Sequence, residues 1–154
     1  MNFFIKKCFL FFLSSGVFVC QNLYAAPAQD FERVALLSVY DADTFKVSLD
    51  CPYPIFCQKI NVRVEGIDAP ELKSKDPCEK LAAKKAKSFA RSFLRQGDIV
   101  LRRCQRDKYF RILCSVFVKI GTEEESLSKA LLAQGFAVPY SGGRKEKINW
   151  CEKE

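Results

Sequence analysis

The sequence contains no histidine. That absence excludes Ser-His-Asp triads, Cys-His dyads, imidazole general bases and every His-ligated metal site. Tight C-x₂₋₄-C pairs are also missing, which counts against a Cys-ligated zinc site. No internal repeat and no low-complexity linker is present. The longest apolar run, Cys8 to Cys20, falls short of the roughly 20 residues that a membrane-spanning helix needs. Catalysis in such a chain has to rest on carboxylates, Arg, Lys, Tyr, Cys, or a metal held by oxygen or sulfur.

What is present fits one ordinary domain, two at most, in 154 residues. Hydrophobic residues make up 49% and charged residues 28%, which are globular proportions. Twenty-five Lys and Arg against 18 Asp and Glu give a net +7. Such a basic balance points to a polyanionic partner. Residues 1–26 show a positive start at Lys6 and Lys7, the apolar run, and then small residues at Ala25, Ala26 and Ala28. This three-part pattern predicts a secretory signal peptide, so the mature protein is expected to be secreted or periplasmic. Phe18 and Val19 are too large before Cys20 for a lipobox. Removing the leader takes two of the 25 basic residues and none of the 18 acids, leaving 23 against 18, a net +5. The mature domain, 27–154, keeps six of the eight cysteines: Cys51, Cys57, Cys78, Cys104, Cys114 and Cys151. An even number in an exported chain suggests disulfides.

Residues 31–40 predict a strand. In 44–49, Phe45, Val47 and Leu49 alternate onto one face. Residues 50–56, with two prolines in the stretch, read as a loop. In 58–67, Ile60, Val62 and Val64 point inward, so Arg63 points the other way. A helix follows, with Asp76 at N-cap, Pro77 at N1 and Glu79 at N3. Its apolar stripe is Leu81, Ala82, Ala86, Phe89, Ala90, Phe93 and Leu94, and Gly97 is expected to end it. Two strands, 99–103 and 112–118, are joined by QRDKYFR. A short helix over 126–134 stops at Gly135. The order β-β-β-α-β-β-α predicts an α+β fold, a five-stranded barrel of OB type with helices. The tail after it, GGRKEKINWCEKE, carries Trp150 and Cys151, which suggest that it is tied down.

Three short segments carry chemistry: Asp41-Ala42-Asp43-Thr44 at a strand start; Arg63 followed by Asp68-Ala69-Pro70-Glu71; and Arg106-Asp107-Lys108-Tyr109-Phe110-Arg111 in a hairpin. Read singly, they are a turn, a loop exit and a solvated hairpin. Together, VYDADT, VRVEGIDAPE, RDKYFR and ALLAQGFA resemble the staphylococcal-nuclease-like (thermonuclease) family in order and spacing, from about Val39 to Tyr140. The resemblance implies an OB barrel and calcium-dependent endonucleolytic hydrolysis of DNA and RNA with little sequence preference, giving 3′-phosphate ends. Single-stranded or frayed nucleic acid is the expected partner, and the protein is expected to be a monomer.

Residue by residue, the resemblance makes Asp43 and Asp68 Ca²⁺ ligands, and Ala69 a ligand through its backbone carbonyl. Asp41 is implied to hold a metal-bound water. Two carboxylates, a carbonyl and water suit a hard cation in a loose cage. Glu71 matches the general base, Arg63 and Arg111 the phosphate clamp. Lys108, Tyr109 and, with a one-residue offset, Tyr140 match substrate contacts. Ala42 and Phe110 stand where the family pattern has Gly.

Among the cysteines, Cys51 and Cys57 bracket the loop between two strand segments. Cys104 and Cys114 lie at equal offsets from the hairpin tip. Cys78 and Cys151 remain, and their pairing is supported by a similar Cys and Trp-Cys in some exported relatives. Two other readings compete with the nuclease: an inactive or weak OB module binding single strands, and a disulfide-stapled extracellular interaction domain. The intact acid and arginine set separates the first reading from both.

Overall fold

A computed structural model of the chain describes residues 28–107 and 109–153. The expected signal peptide and Lys108 lie outside the described residues.

The alternation in TFKVSL becomes β2 (Thr44–Leu49), whose Phe45, Val47 and Leu49 are buried. It pairs antiparallel with β1 (Gln29–Asp41), a longer strand than 31–40 implied. Two register shifts in that pairing, at Leu36/Ser38 and Val39/Asp41, bend β1. Its other edge can then pair with β5 (Asp98–Arg106). β3 (Ile60–Val64) lies along β2, and β6 (Ile112–Ile120) along β5. The sheet order β3-β2-β1-β5-β6 closes on itself through a parallel pairing of β3 with β6. The result is the expected five-stranded mixed barrel of OB type. Phe45, Val62, Val64, Leu101, Val116 and Val118 fill it.

Three short strands were not legible from alternation. β4 (Ile67–Asp68) pairs with β8 (Val138–Pro139), and β7 (Glu123–Ser126) extends the barrel beyond β6. Two residues, or a run of three glutamates, carry no apolar period. The expected loop over 50–56 contains a single helical turn, α1 (Pro54–Cys57). α2 (Pro77–Phe93) starts as predicted, with the Asp76 side chain accepting from the Cys78 N–H. Its buried face is Ala83, Ala86, Ala90 and Phe93; Leu81, placed on the apolar stripe by the sequence, is exposed. α3 (Leu127–Ala133) is capped by Ser126, and a 3₁₀ helix (Trp150–Lys153) ends the described chain. Among the described residues no helix is long and apolar enough to cross a membrane.

The three disulfides are Cys51–Cys57, Cys78–Cys151 and Cys104–Cys114, as expected. The β5–β6 register shifts between Arg102 and Gln105, and Cys104 and Cys114 are both buried there. The Cys78–Cys151 bridge spans 73 residues and ties the start of α2 to the 3₁₀ helix. A loop of that length corresponds to roughly 4 kcal/mol in the chain-entropy picture.

Gly97 does not end α2, which stops four residues earlier with Leu94 as C-cap. Its role is close approach: a Cβ there would lie 2.2 Å from the Lys119 carbonyl oxygen on β6. Both groups are backbone, so neither can swing aside. Gly97→Ala is expected to lower stability by about 1–3 kcal/mol, read as a lower urea midpoint.

Candidate active site

Two of the acids, Asp43 and Asp68, meet at Arg63 because three segments end there. The β1–β2 turn carries Asp41 to Thr44, β3 carries Arg63 on its outward face, and β4 carries Asp68. Ala42 is buried, and its backbone lies outside the left-handed region, so it fits the turn that a Gly would otherwise make.

Asp43 is buried, and both of its carboxylate oxygens have partners. One oxygen accepts from the Thr44 hydroxyl at 2.9 Å. The other accepts from the Ala69 N–H at 2.8 Å and pairs with Arg63. The Asp43 carbonyl also accepts from the Val64 N–H, fastening the turn to β3. Arg63, with its side chain 11% exposed, donates from one terminal nitrogen to the Ile67 carbonyl and to Asp68 Oδ1, both at 3.0 Å. Burial pushes the guanidinium pKa down. Asp68 opposes that shift, and the nearby Arg111 adds to it.

Asp41 differs from its neighbours. Its Oδ1 is buried without a hydrogen-bond partner among the described residues. Burial pushes its pKa up, a hydrogen bond from the Leu72 backbone resists this, and the charge of Glu71 adds to it. An orphaned buried carboxylate oxygen beside other acids is an acceptor available to a cation or its water. By donor chemistry, the carboxylates of Asp43, Asp68 and Asp41 and the Ala69 carbonyl are the hard oxygens that a divalent ion takes.

Glu71 stands at the rim, with its side chain 55% exposed. Its backbone N–H donates to Glu79 Oε1 at 3.1 Å. Glu79, read in the sequence only as a helix-start signal, therefore ties the Glu71 loop to α2. The Glu71 carboxylate accepts from Lys145 Nζ at 2.7 Å, and the same ammonium lies 3.0 Å from Asp68 Oδ1. Sequence reasoning missed Lys145; the only signal was a tail tied down by Trp150 and Cys151.

The second arginine arrives through barrel closure. Arg63 is level with Leu113 in the β3–β6 pairing, so Arg111 lies just beyond the start of β6, near Arg63. Asp107 aims it, accepting from the Arg111 Nε at 2.8 Å and from the N–H groups of Arg111 and Tyr109. The guanidinium carbon of Arg111 also lies 5.2 Å from the Tyr109 ring centre. Phe110, at φ +60°, is left-handed. That conformation costs a side-chain-bearing residue about 1–2 kcal/mol. Tyr140 is half-buried; its N–H donates to the Gly66 carbonyl and its hydroxyl to the Gly143 carbonyl.

The family model described as staphylococcal nuclease homologue matches residues 61–153. The chain belongs to this family. The match takes in Arg63, Asp68, Glu71, Arg111 and Tyr140, whereas Asp41 and Asp43 precede it. Asp43 is nevertheless joined to the matched part by its bonds to Arg63 and Ala69. Comparison with curated proteins finds no match. Membership makes this a nuclease-family protein, with nucleic acid as the substrate class its fold points to.

Asp107 yields a pH prediction. Partial burial raises its pKa, but the bonds from Arg111 and Tyr109 outweigh this and hold it below the ordinary 3.8. A depressed folded-state pKa adds stability above the unfolded value, and that stability is lost as pH falls through the folded one. Asp107→Asn is therefore expected to lower the melting temperature at neutral pH and to flatten its decline below pH 3.8. A thermal-unfolding series from neutral to acid pH checks both.

Proposed function

We propose that the mature protein is an exported, monomeric, Ca²⁺-dependent endonuclease that hydrolyses DNA and RNA with little sequence preference and leaves 3′-phosphate ends. The observation that carries this reading is that Arg63 holds Asp43 and Asp68 together while Lys145 joins Asp68 to Glu71, with Asp41 Oδ1 buried and unpartnered among the described residues. Export is supported by the leader pattern of residues 1–26 and by three disulfides, which persist in oxidising compartments.

Asp43, Asp68 and the Ala69 carbonyl would hold the calcium, and Asp41 would accept from a water near it. Bound there, the ion would supply positive charge against the phosphate. Glu71, solvent-accessible and carboxylate-based in a chain without imidazole, would take the proton from the attacking water. Water attacks phosphorus in line, the bond to the 5′-oxygen breaks, and that oxygen takes a proton from solvent to leave as a hydroxyl. Of the five N–H donors of a guanidinium, Asp43, Asp68 and the Ile67 carbonyl engage three on Arg63. The others remain for a phosphate oxygen. Arg63 and Arg111 meet negative charge that develops only in the transition state, which is where binding accelerates reaction. Tyr109, Lys108 and Tyr140 are proposed to contact the flanking nucleotide.

A second reading has its own support. Tyr109 and Phe110 are exposed on a basic hairpin, a stacking platform suited to single strands without cleavage.

Nuclease assays on DNA and RNA, in Ca²⁺ and in excess chelator, separate the two. Hydrolysis of both polymers is expected only with Ca²⁺. Full activity in chelator overturns the calcium reading, and binding without turnover favours the stacking module. Glu71→Gln is expected to lower kcat by about 10²–10⁴-fold with KM little changed. A variant in which only KM rises would make Glu71 a positioning group.

A further inference from the structure

After β8 the chain does not leave the site. The Tyr140 N–H bonds the Gly66 carbonyl, and the Tyr140 hydroxyl bonds the Gly143 carbonyl. Gly142 and Gly143 turn the backbone in the left-handed region, at φ +98° and +89°. Side-chain-bearing residues rarely adopt that conformation. The chain then crosses the acids with Lys145 and reaches Trp150, which is buried, and Cys151, bridged to Cys78. Residues 140–149 are thus a strap fastened at both ends.

We propose that Lys145, held by Asp68 and Glu71, is an internal counter-cation of the acid cluster that competes with a divalent cation for Asp68. The inference rests on the reading of Asp43 and Asp68 as cation ligands.

Two cations already share Asp68 Oδ1: Arg63 and Lys145, each at 3.0 Å. A third cation on that carboxylate would be repelled by both, because unit charges about 4 Å apart interact appreciably even in a protein surface medium. One of them has to give way. Arg63 is nearly buried and held on β3 by Asp43 and the Ile67 carbonyl as well. Lys145 is 46% exposed and sits on a flexible stem with water within reach. Lys145 is the group that leaves. Because the strap is fastened at both ends, its ammonium stays nearby at an effective concentration that free amines in solution would not reach. It thereby lowers the apparent affinity of the acids for metal.

Calorimetric titration of the oxidised full-length mature protein with CaCl₂ alone, without nucleic acid and at low ionic strength, tests this. Lys145→Gln removes the charge at a half-exposed position. It is expected to bind Ca²⁺ about three- to tenfold more tightly than the unsubstituted protein. Lys145→Arg keeps the charge and is expected to stay close to the unsubstituted value. Equal or weaker binding by Lys145→Gln overturns the proposal while leaving the calcium reading intact. Heats of zero for all three proteins overturn both.

Discussion

A guanidinium with its side chain 11% exposed has lost most of its water, and it stays charged at tolerable cost only where carboxylates and carbonyls replace that water. Arg63 meets this condition through Asp43, Asp68 and the Ile67 carbonyl. Those three groups come from the β1–β2 turn and from β4. The ion cluster is therefore also a structural joint, reinforced where Asp43 accepts the Ala69 N–H and its carbonyl takes the Val64 N–H. Removing either acid outright would leave a buried positive charge short of a partner, a loss typically larger than the pair's net contribution. For that reason Asp→Asn tests the metal reading more cleanly than Asp→Ala at these positions.

The same cluster is unbalanced. Asp43, Asp68 and Glu71 bring three carboxylates in direct contact with two cations, Arg63 and Lys145, and Asp41 adds a fourth that feels Glu71, Lys87 and Arg63 through their charge. Burial is the first cause of the raised pKa of Asp41 and the charge of Glu71 adds to it, while its Oδ1 has no hydrogen-bond partner among the described residues. A site that keeps more negative charge than it neutralises is poised for an external cation. Lys145 softens the surplus without abolishing it, and it is the more exposed of the two cations.

Legibility in the sequence followed the range of the interaction. β2 and β3 could be read because alternation is local, and α2 because Asp76 and Pro77 mark its start. The acids and arginines could be found because they sit in short segments with a recognisable order. Leu81 misled because helical spacing alone does not say which face the barrel takes. Gly97 carried a helix-end signal but serves a backbone contact to β6, over 20 residues away. Lys145 was illegible for the same reason on a larger scale. Its place depends on the β4–β8 pairing, on two left-handed glycines and on a disulfide across 73 residues, none of which a charge in a basic tail announces.

The two arginines show how one site obtains both rigidity and reach. Parallel closure of β3 on β6 sets Arg63 level with Leu113, which brings the loop before β6, and Arg111 with it, near Arg63. Two guanidiniums so close repel, and Arg111 adds to the burial that pushes the Arg63 pKa down. The fold answers the repulsion with separate counter-ions. Arg63 has the acids of the cation site, whereas Arg111 has Asp107 within its own loop, a residue that also accepts two backbone N–H groups there. Arg63 is consequently fixed by the barrel and coupled to whatever cation the acids hold. Arg111 is fixed by a local turn and independent of it. A phosphate arriving between them would relieve the mutual repulsion directly, so the unfavourable proximity of the two charges in the free protein becomes part of the attraction for substrate.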